Sequence, residues 1–145
     1  MDSVGRKTRS RIMRSIKSKG TKLEKEFHSA LCSRGIKEID SHPKDIFGNP
    51  DFVHRKAKMA IFLDSCFWHG CPKHCRMPHS NIEYWRKKIE RNRKRDKLVT
   101  QTLIEKGWLV LRIWEHSLSE EAGFKEWPKK ISTLILKRVS SRSVK

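Results

Sequence analysis

The sequence predicts a mixed α/β domain in which a small sheet is covered by helices, and its hydrophobic pattern carries that prediction. The apolar period is helical over "TKLEKEFHSALCSRG" and turns short and strand-like between residues 36 and 64. A long basic segment of helical period then separates those strands from one more apolar run, "WLVLRIWEH". At 145 residues the chain has room for one domain with a real core.

Each element has its own justification. Leu23, Phe27 and Leu31 share a helical face, Thr21 and Glu24 form a T-x-x-E capping box that puts Glu24 in the first turn, and Gly35 is a suitable stop. "IKEID", "DFVH" and "KMAIFLD" are β-branched or aromatic runs broken by turn residues, which predicts strands joined as hairpins. The continuously apolar "AIFL" suits a central strand. Ser80 with Glu83 predicts the cap of a long helix running towards Gly107, with a stripe of Ile82, Trp85, Ile89, Val99 and Leu103. Asn92 and Asp96 interrupt that stripe, as a kink or as a polar pair with a specific partner. The last strand is "WLVLRIWEH", and Pro128 at a first helical position starts a final helix through Ile131, Leu134 and Ile135. The expected organisation is a basic N-terminal segment, residues 1–20, a domain over residues 21–139 and a disordered serine-rich tail, residues 140–145.

Thirty-four Lys and Arg against sixteen Asp and Glu give a net charge of +18 and a pI near 10.2. Nine of the basic residues lie within residues 6–25 and eight within residues 86–97, a clustering that points to a polyanion, DNA or RNA. Neither run is backed by a large apolar face, so a membrane surface is disfavoured. No apolar leader-like stretch is present near the start, so the expected location is the cytoplasm, where cysteines are thiols or metal ligands rather than disulfides.

"CFWHGCPKHC", residues 66–75, gathers metal-binding side chains between prolines. Cys66, Cys71, His74 and Cys75 match the donor types of a structural zinc, and His116, just past the last strand, is a natural distant ligand. Cys32, alone on a helix, reads as an ordinary cysteine. A second constellation combines Asp51 at the head of a strand, Glu24 on the preceding helix, and the strand end carrying Asp64 and His69. Carboxylates with a main-chain carbonyl suit Mg2+, and a nearby histidine can take a proton from an attacking water. Taken singly, Glu24 also reads as a cap, Asp64 as a partner for a basic residue, and His69 as a zinc ligand.

"TRSRIMRSIKSKGTKLE", "NPDFV", "IFLDSCFWHGCPKH", "EYWRKKIERNRKRD" and "GWLVLRIWEH", in that order over residues 6–118, closely resemble the very short patch repair endonucleases, which nick DNA beside T:G mismatches left by deamination of 5-methylcytosine. The resemblance implies a restriction-endonuclease-like α/β core without the usual downstream acid-x-lysine pair. It implies that Asp51 holds Mg2+ with the main-chain carbonyl of Leu63, that His69 activates the water, and that Glu24 supports the site. It places zinc on Cys66, Cys71, His74 and His116, with Cys75 as a competing ligand. Phe67, Trp68 and Trp85 match the wedge that enters the base stack, which favours a mismatch because unstacking there costs less. Met13, Arg14, Lys17, Arg91 and Arg95 are the implied DNA contacts. Leu63 and Asp64 stand where the family carries threonine and histidine, so Asp64 is expected to bring an extra carboxylate to the cation. The expected partner is double-stranded DNA with a T:G mismatch, bound by a monomer, with repair-pathway proteins as further partners. Two other readings are a restriction-type nuclease of related fold and a non-catalytic zinc module that binds distorted DNA.

Overall fold

The computed structural model describes residues 22–66, 71, 81–119 and 121–143. Helix α1, residues 22–33, buries Phe27 and Leu31 completely, as their spacing on one face requires. It ends where Gly35 takes φ +83° and the Ile36 N–H reaches back to the Leu31 carbonyl at 3.1 Å, a Schellman-type stop.

Strands β1 (Ile39–Ser41), β2 (Phe52–His54) and β3 (Met59–Asp64) follow as two antiparallel hairpins. Helix α2 (Ile82–Glu105) then carries the chain across to β4 (Leu109–Trp114), which pairs parallel with β3. The sheet order is β1-β2-β3-β4, with apolar β3 central between β2 and β4. A short helix α3 (Glu115–Ser119) leads into α4 (Glu121–Ser143). This small mixed sheet with helices on it fits a restriction-endonuclease-like core.

Alternation along β3 divides the interior in two. Met59 and Ile61 point to a core shared with Phe27 and Leu31 of α1 and with Ile131 and Ile135 of α4. Ala60 and Phe62 point the other way, against Val99 and Leu103 of α2. Gly48 allows the turn before β2 to lie on α2, since a Cβ there would sit 2.2 Å from a Val99 methyl and its φ is +85°.

Three local expectations change. The N-cap of α2 is Asn81, in a left-handed conformation with no side-chain cap bond, and Glu83 pairs with Arg86 at 3.3 Å instead of closing a box. Pro128 is buried inside α4, which begins a full two turns earlier. A proline in a helix interior costs about 3 kcal/mol. Here Phe124 and Trp127 before it and Ile131 and Ile135 after it all pack on one core, and burying such side chains contributes about 1.5–3 kcal/mol each. Finally, α4 runs on to Ser143, through residues whose composition suggests a tail. Among the described residues no helix is long and apolar enough to cross a membrane.

Candidate active site and metal centre

The β1–β2–β3 register builds the acidic site. Phe52 pairs with both Ser41 and Ile61, so the next rung brings His42 and Asp51 opposite one another. The His42 N–H donates to the Asp51 carbonyl at 3.0 Å, and the Asp51 N–H donates to the Ile61 carbonyl at 3.0 Å. With its backbone held on both sides, Asp51 turns its Oδ2 to accept the Leu63 N–H at 2.7 Å. In an extended strand the N–H and C=O of one residue face the same edge, so the Leu63 carbonyl also faces the Asp51 side.

Glu24 arrives from the first turn of α1, and its Oε2 lies 2.9 Å from His42 Nε2. One donor atom each from Glu24, His42 and Asp51 fall within 4.8 Å of one another. Burial pushes the Asp51 carboxyl up to about 7; the Leu63 N–H opposes that rise, the neighbouring Glu24 carboxylate adds to it, and His42 lowers it again. A carboxyl that stays protonated this far up the pH scale marks a place short of positive charge. Two carboxylates and a carbonyl are the hard-oxygen donors a divalent cation takes, so the residues present fit Mg2+.

His42 is the member of this group that sequence reasoning missed. Its signal is the hairpin register, which places it across from Asp51 once the ends of β1 and β2 are known.

Beside Asp51 opens a cavity of about 270 Å³, lined among others by Asn49, Leu63, Asp64, Asn92, Arg95 and Arg112. Arg112 of β4 organises its floor. Nη1 lies 3.0 and 3.3 Å from the two Asp64 carboxylate oxygens and 3.6 Å from Asp96 Oδ1. Nη2 donates to the Asp96 carbonyl at 3.2 Å and Nε to the Thr100 hydroxyl at 2.7 Å, while the guanidinium stacks 4.1 Å above the Phe62 ring. The break in the α2 stripe at Asp96 is therefore a polar face turned to Arg112. Asp64, expected to bring an extra carboxylate to the cation, is engaged by Arg112 and lines the same cavity as Asp51, while standing outside the Glu24–His42–Asp51 group.

The parallel register of β3 and β4 builds the second cluster. Asp64 pairs with Trp114, so Cys66 and His116, two residues beyond each, come side by side. Cys66 Sγ lies 3.3 Å and Cys71 Sγ 3.5 Å from His116 Nδ1. With Zn–S of about 2.3 Å and Zn–N of about 2.0–2.1 Å, tetrahedral ligands are separated by about 3.6 Å, so these residues fit a zinc. The Cys71 N–H closes a turn on the Cys66 carbonyl at 2.9 Å, and the Cys66 N–H donates to Glu115 Oε1 at 3.0 Å. Burial pushes the Cys66 thiol up to about 12, with Glu115 and Cys71 adding to the rise.

Trp85, expected in the base-stacking wedge, is fully buried in the DNA-free chain and meets Tyr84 edge-on at 5.0 Å between ring centroids. It sits on the apolar stripe of α2 with Ile89, Val99 and Leu103. Arg91 and Arg95 are exposed on α2, and Arg95 reaches the cavity beside Asp51. Met13, Arg14, Lys17, Phe67, Trp68, His69, His74 and Cys75 lie outside the described residues.

Comparison with known proteins adds an independent line. Residues 1–77 match the family model described as DNA mismatch endonuclease Vsr. The chain is 41% identical over 122 residues to the type II nicking enzyme V.NaeI of Lentzea aerocolonigenes, covering 79% of this chain and 71% of that protein. It is 35% identical to the type II nicking enzyme V.HpaIIP of Haemophilus parainfluenzae over the whole of both chains. It is 37% identical over 114 residues to the DNA mismatch endonuclease Vsr of Escherichia coli, covering 77% of this chain and 71% of that protein.

Proposed function

Because the chain belongs to the DNA mismatch endonuclease Vsr family and so is a DNA endonuclease, we propose that it nicks one strand 5′ to the thymine of a T:G mismatch, with Mg2+ at Asp51 and zinc at Cys66, Cys71, His116 and His74, Cys75 being the alternative fourth ligand. One observation carries the reading: the residue whose N–H holds Asp51, Leu63, lies three residues before Cys66. Three residues span at most about 11 Å, so the acidic group and the thiol–imidazole group share one edge of the sheet.

That spacing gives each part a task. Asp51 and Glu24, with the Leu63 carbonyl, would hold the cation, which when bound supplies positive charge for the developing phosphorane charge and lowers the pKa of a water. His69 would accept the proton of the attacking water, and Arg95 would neutralise a phosphate at the cavity mouth. Phe67 and Trp68 follow Cys66 directly in the sequence, so a zinc that fixes Cys66 would anchor the segment that pries at the base stack. Entry is cheapest at a weakly stacked mismatch, and stacking on an aromatic returns about 1–3 kcal/mol per base. A single active edge suits an asymmetric lesion and a monomer, and passing the nicked product to other repair proteins follows from the chemistry of a single-strand break.

The test is a denaturing gel of strand-labelled duplexes that differ in one pair, T:G or C:G, with Mg2+ or with chelator. Nicking of the thymine strand of the T:G duplex alone, and only with Mg2+, is the expected result. Equal cleavage of the C:G control would favour a restriction-type nuclease; binding without cleavage would favour a non-catalytic module.

A further inference from the structure

We propose that His42 is itself a ligand of the cation held by Asp51 and Glu24, so that the site has an imidazole nitrogen beside its carboxylate oxygens and prefers Mn2+ to Mg2+. The inference rests on the reading of this group as a cation site and deepens it by one residue.

Geometry is the first ground. His42 Nε2 lies 2.9 Å from Glu24 Oε2, and donor atoms of Glu24, His42 and Asp51 all lie within 4.8 Å of one another. Around an octahedral ion with bonds of about 2.1 Å, adjacent ligands are about 3 Å apart and opposite ones about 4.2 Å. The imidazole and the Glu24 carboxylate are thus spaced as neighbours in one coordination shell.

The backbone is the second ground. His42 is the first residue past β1 and takes φ +48°, a left-handed conformation that few residues other than glycine adopt. Its N–H is bonded to the carbonyl of Asp51 at 3.0 Å, so the turn that places the ring is tied to the residue it faces. The ring is not there for packing, since the side chain is 56% exposed and lines an open groove with Glu24, Ser41 and Phe52.

Chemistry decides the ion. Mg2+ is a hard cation that favours all-oxygen shells, whereas a nitrogen donor moves preference towards first-row transition ions.

The experiment uses the full chain loaded with zinc and compares wild type, His42→Asn, His69→Ala and Asp51→Asn. Asparagine tolerates φ > 0, so the turn should survive the substitution. Pulsed EPR of bound Mn2+ reads directly coordinated 14N, and calorimetry reads Mn2+ and Mg2+ affinities. A 14N coupling in wild type and His69→Ala that disappears in His42→Asn is expected, together with a loss of Mn2+ affinity on the order of tenfold and a smaller loss for Mg2+. A coupling that persists in His42→Asn, or that is absent from wild type although Mn2+ binds through Asp51, would overturn the proposal and leave the cation site standing. Metal binding indifferent to Asp51→Asn would remove the cation site and this inference with it.

Discussion

Asp51 Oδ2 accepts the Leu63 N–H at 2.7 Å, a bond that fixes a carboxylate of one hairpin strand to the end of the next. The same strand end continues into Cys66, whose sulfur lies 3.3 Å from His116 Nδ1. Loosening either cluster should therefore be felt at the other.

Metal binding at Asp51 should depend on pH in a defined direction. Burial raises this carboxyl to about 7, well above the usual range, so the metal-free folded protein holds a proton that a cation must displace. Apparent Mg2+ or Mn2+ affinity should rise by about tenfold per pH unit up to about pH 7 and then level off. Stability of the metal-free protein has the opposite sign: the folded state binds the extra proton between the unfolded value near 4 and about 7, so stability falls as pH rises through that window. Calorimetric titration and denaturation between pH 5 and pH 8 measure both; a flat affinity profile would contradict the burial argument.

The zinc reading predicts metal content and stability together. Purified protein should carry one zinc per chain by atomic emission, and structural zinc sites contribute on the order of 10 kcal/mol to ordering their surroundings. Cys66→Ser should lose the zinc and lower Tm, and a chelator should do the same to wild type even when Mg2+ is restored in excess. Zinc-free protein with an unchanged Tm would rule the centre out.

Arg112 is predicted to stabilise through the charge it neutralises. The Asp64 side chain is 8% exposed and the Arg112 side chain 21%, so Arg112→Ala removes a cation from beside a nearly buried carboxylate. Breaking such a pair costs about 3–5 kcal/mol, whereas removing both charges costs much less. Urea denaturation of Arg112→Ala should show that loss, and Asp64→Leu combined with Arg112→Met should recover most of it. A single-variant loss below about 1 kcal/mol would mean that the pair is solvated.

How much of this was legible in the sequence depends on how far apart the partners lie. Phe27 and Leu31 declare a buried helical face by their spacing, and "AIFL" declares a strand covered on both sides, because local period follows directly from geometry. Cys66, Cys71 and His116 were readable because their residue types are rare and their chemistry specific. His42 and Arg112 were not: their partners Glu24 and Asp64 lie 18 and 48 residues away, and only the sheet register brings them together. Trp85 is ambiguous in the sequence because an aromatic on an apolar stripe serves either a wedge or a core, and only its surroundings in the fold show that it is buried.

Cleavage rate, rather than salt dependence, should distinguish the exposed Arg91 from the exposed Arg95. A chain of net charge +18 should bind duplex DNA with an affinity that falls steeply with salt, since phosphate contacts release counterions. Arg91→Ala and Arg95→Ala should each reduce the slope of log K against log salt by about 1. Because Arg95 lines the cavity beside Asp51, its replacement should also slow cleavage under saturating DNA, which Arg91→Ala should leave near the wild-type rate. Identical cleavage rates in the two variants would place the scissile phosphate away from that cavity.

The most direct test measures cleavage and binding of one T:G duplex by wild type and Asp51→Ala under the same conditions. Removing a metal-holding carboxylate withdraws several kcal/mol of transition-state stabilisation, so nicking should fall by on the order of a thousandfold or more while duplex affinity stays within about threefold. Nicking by Asp51→Ala at the wild-type rate would contradict the account, because the edge built by Asp51 and Leu63 would then not be where the phosphodiester is cut.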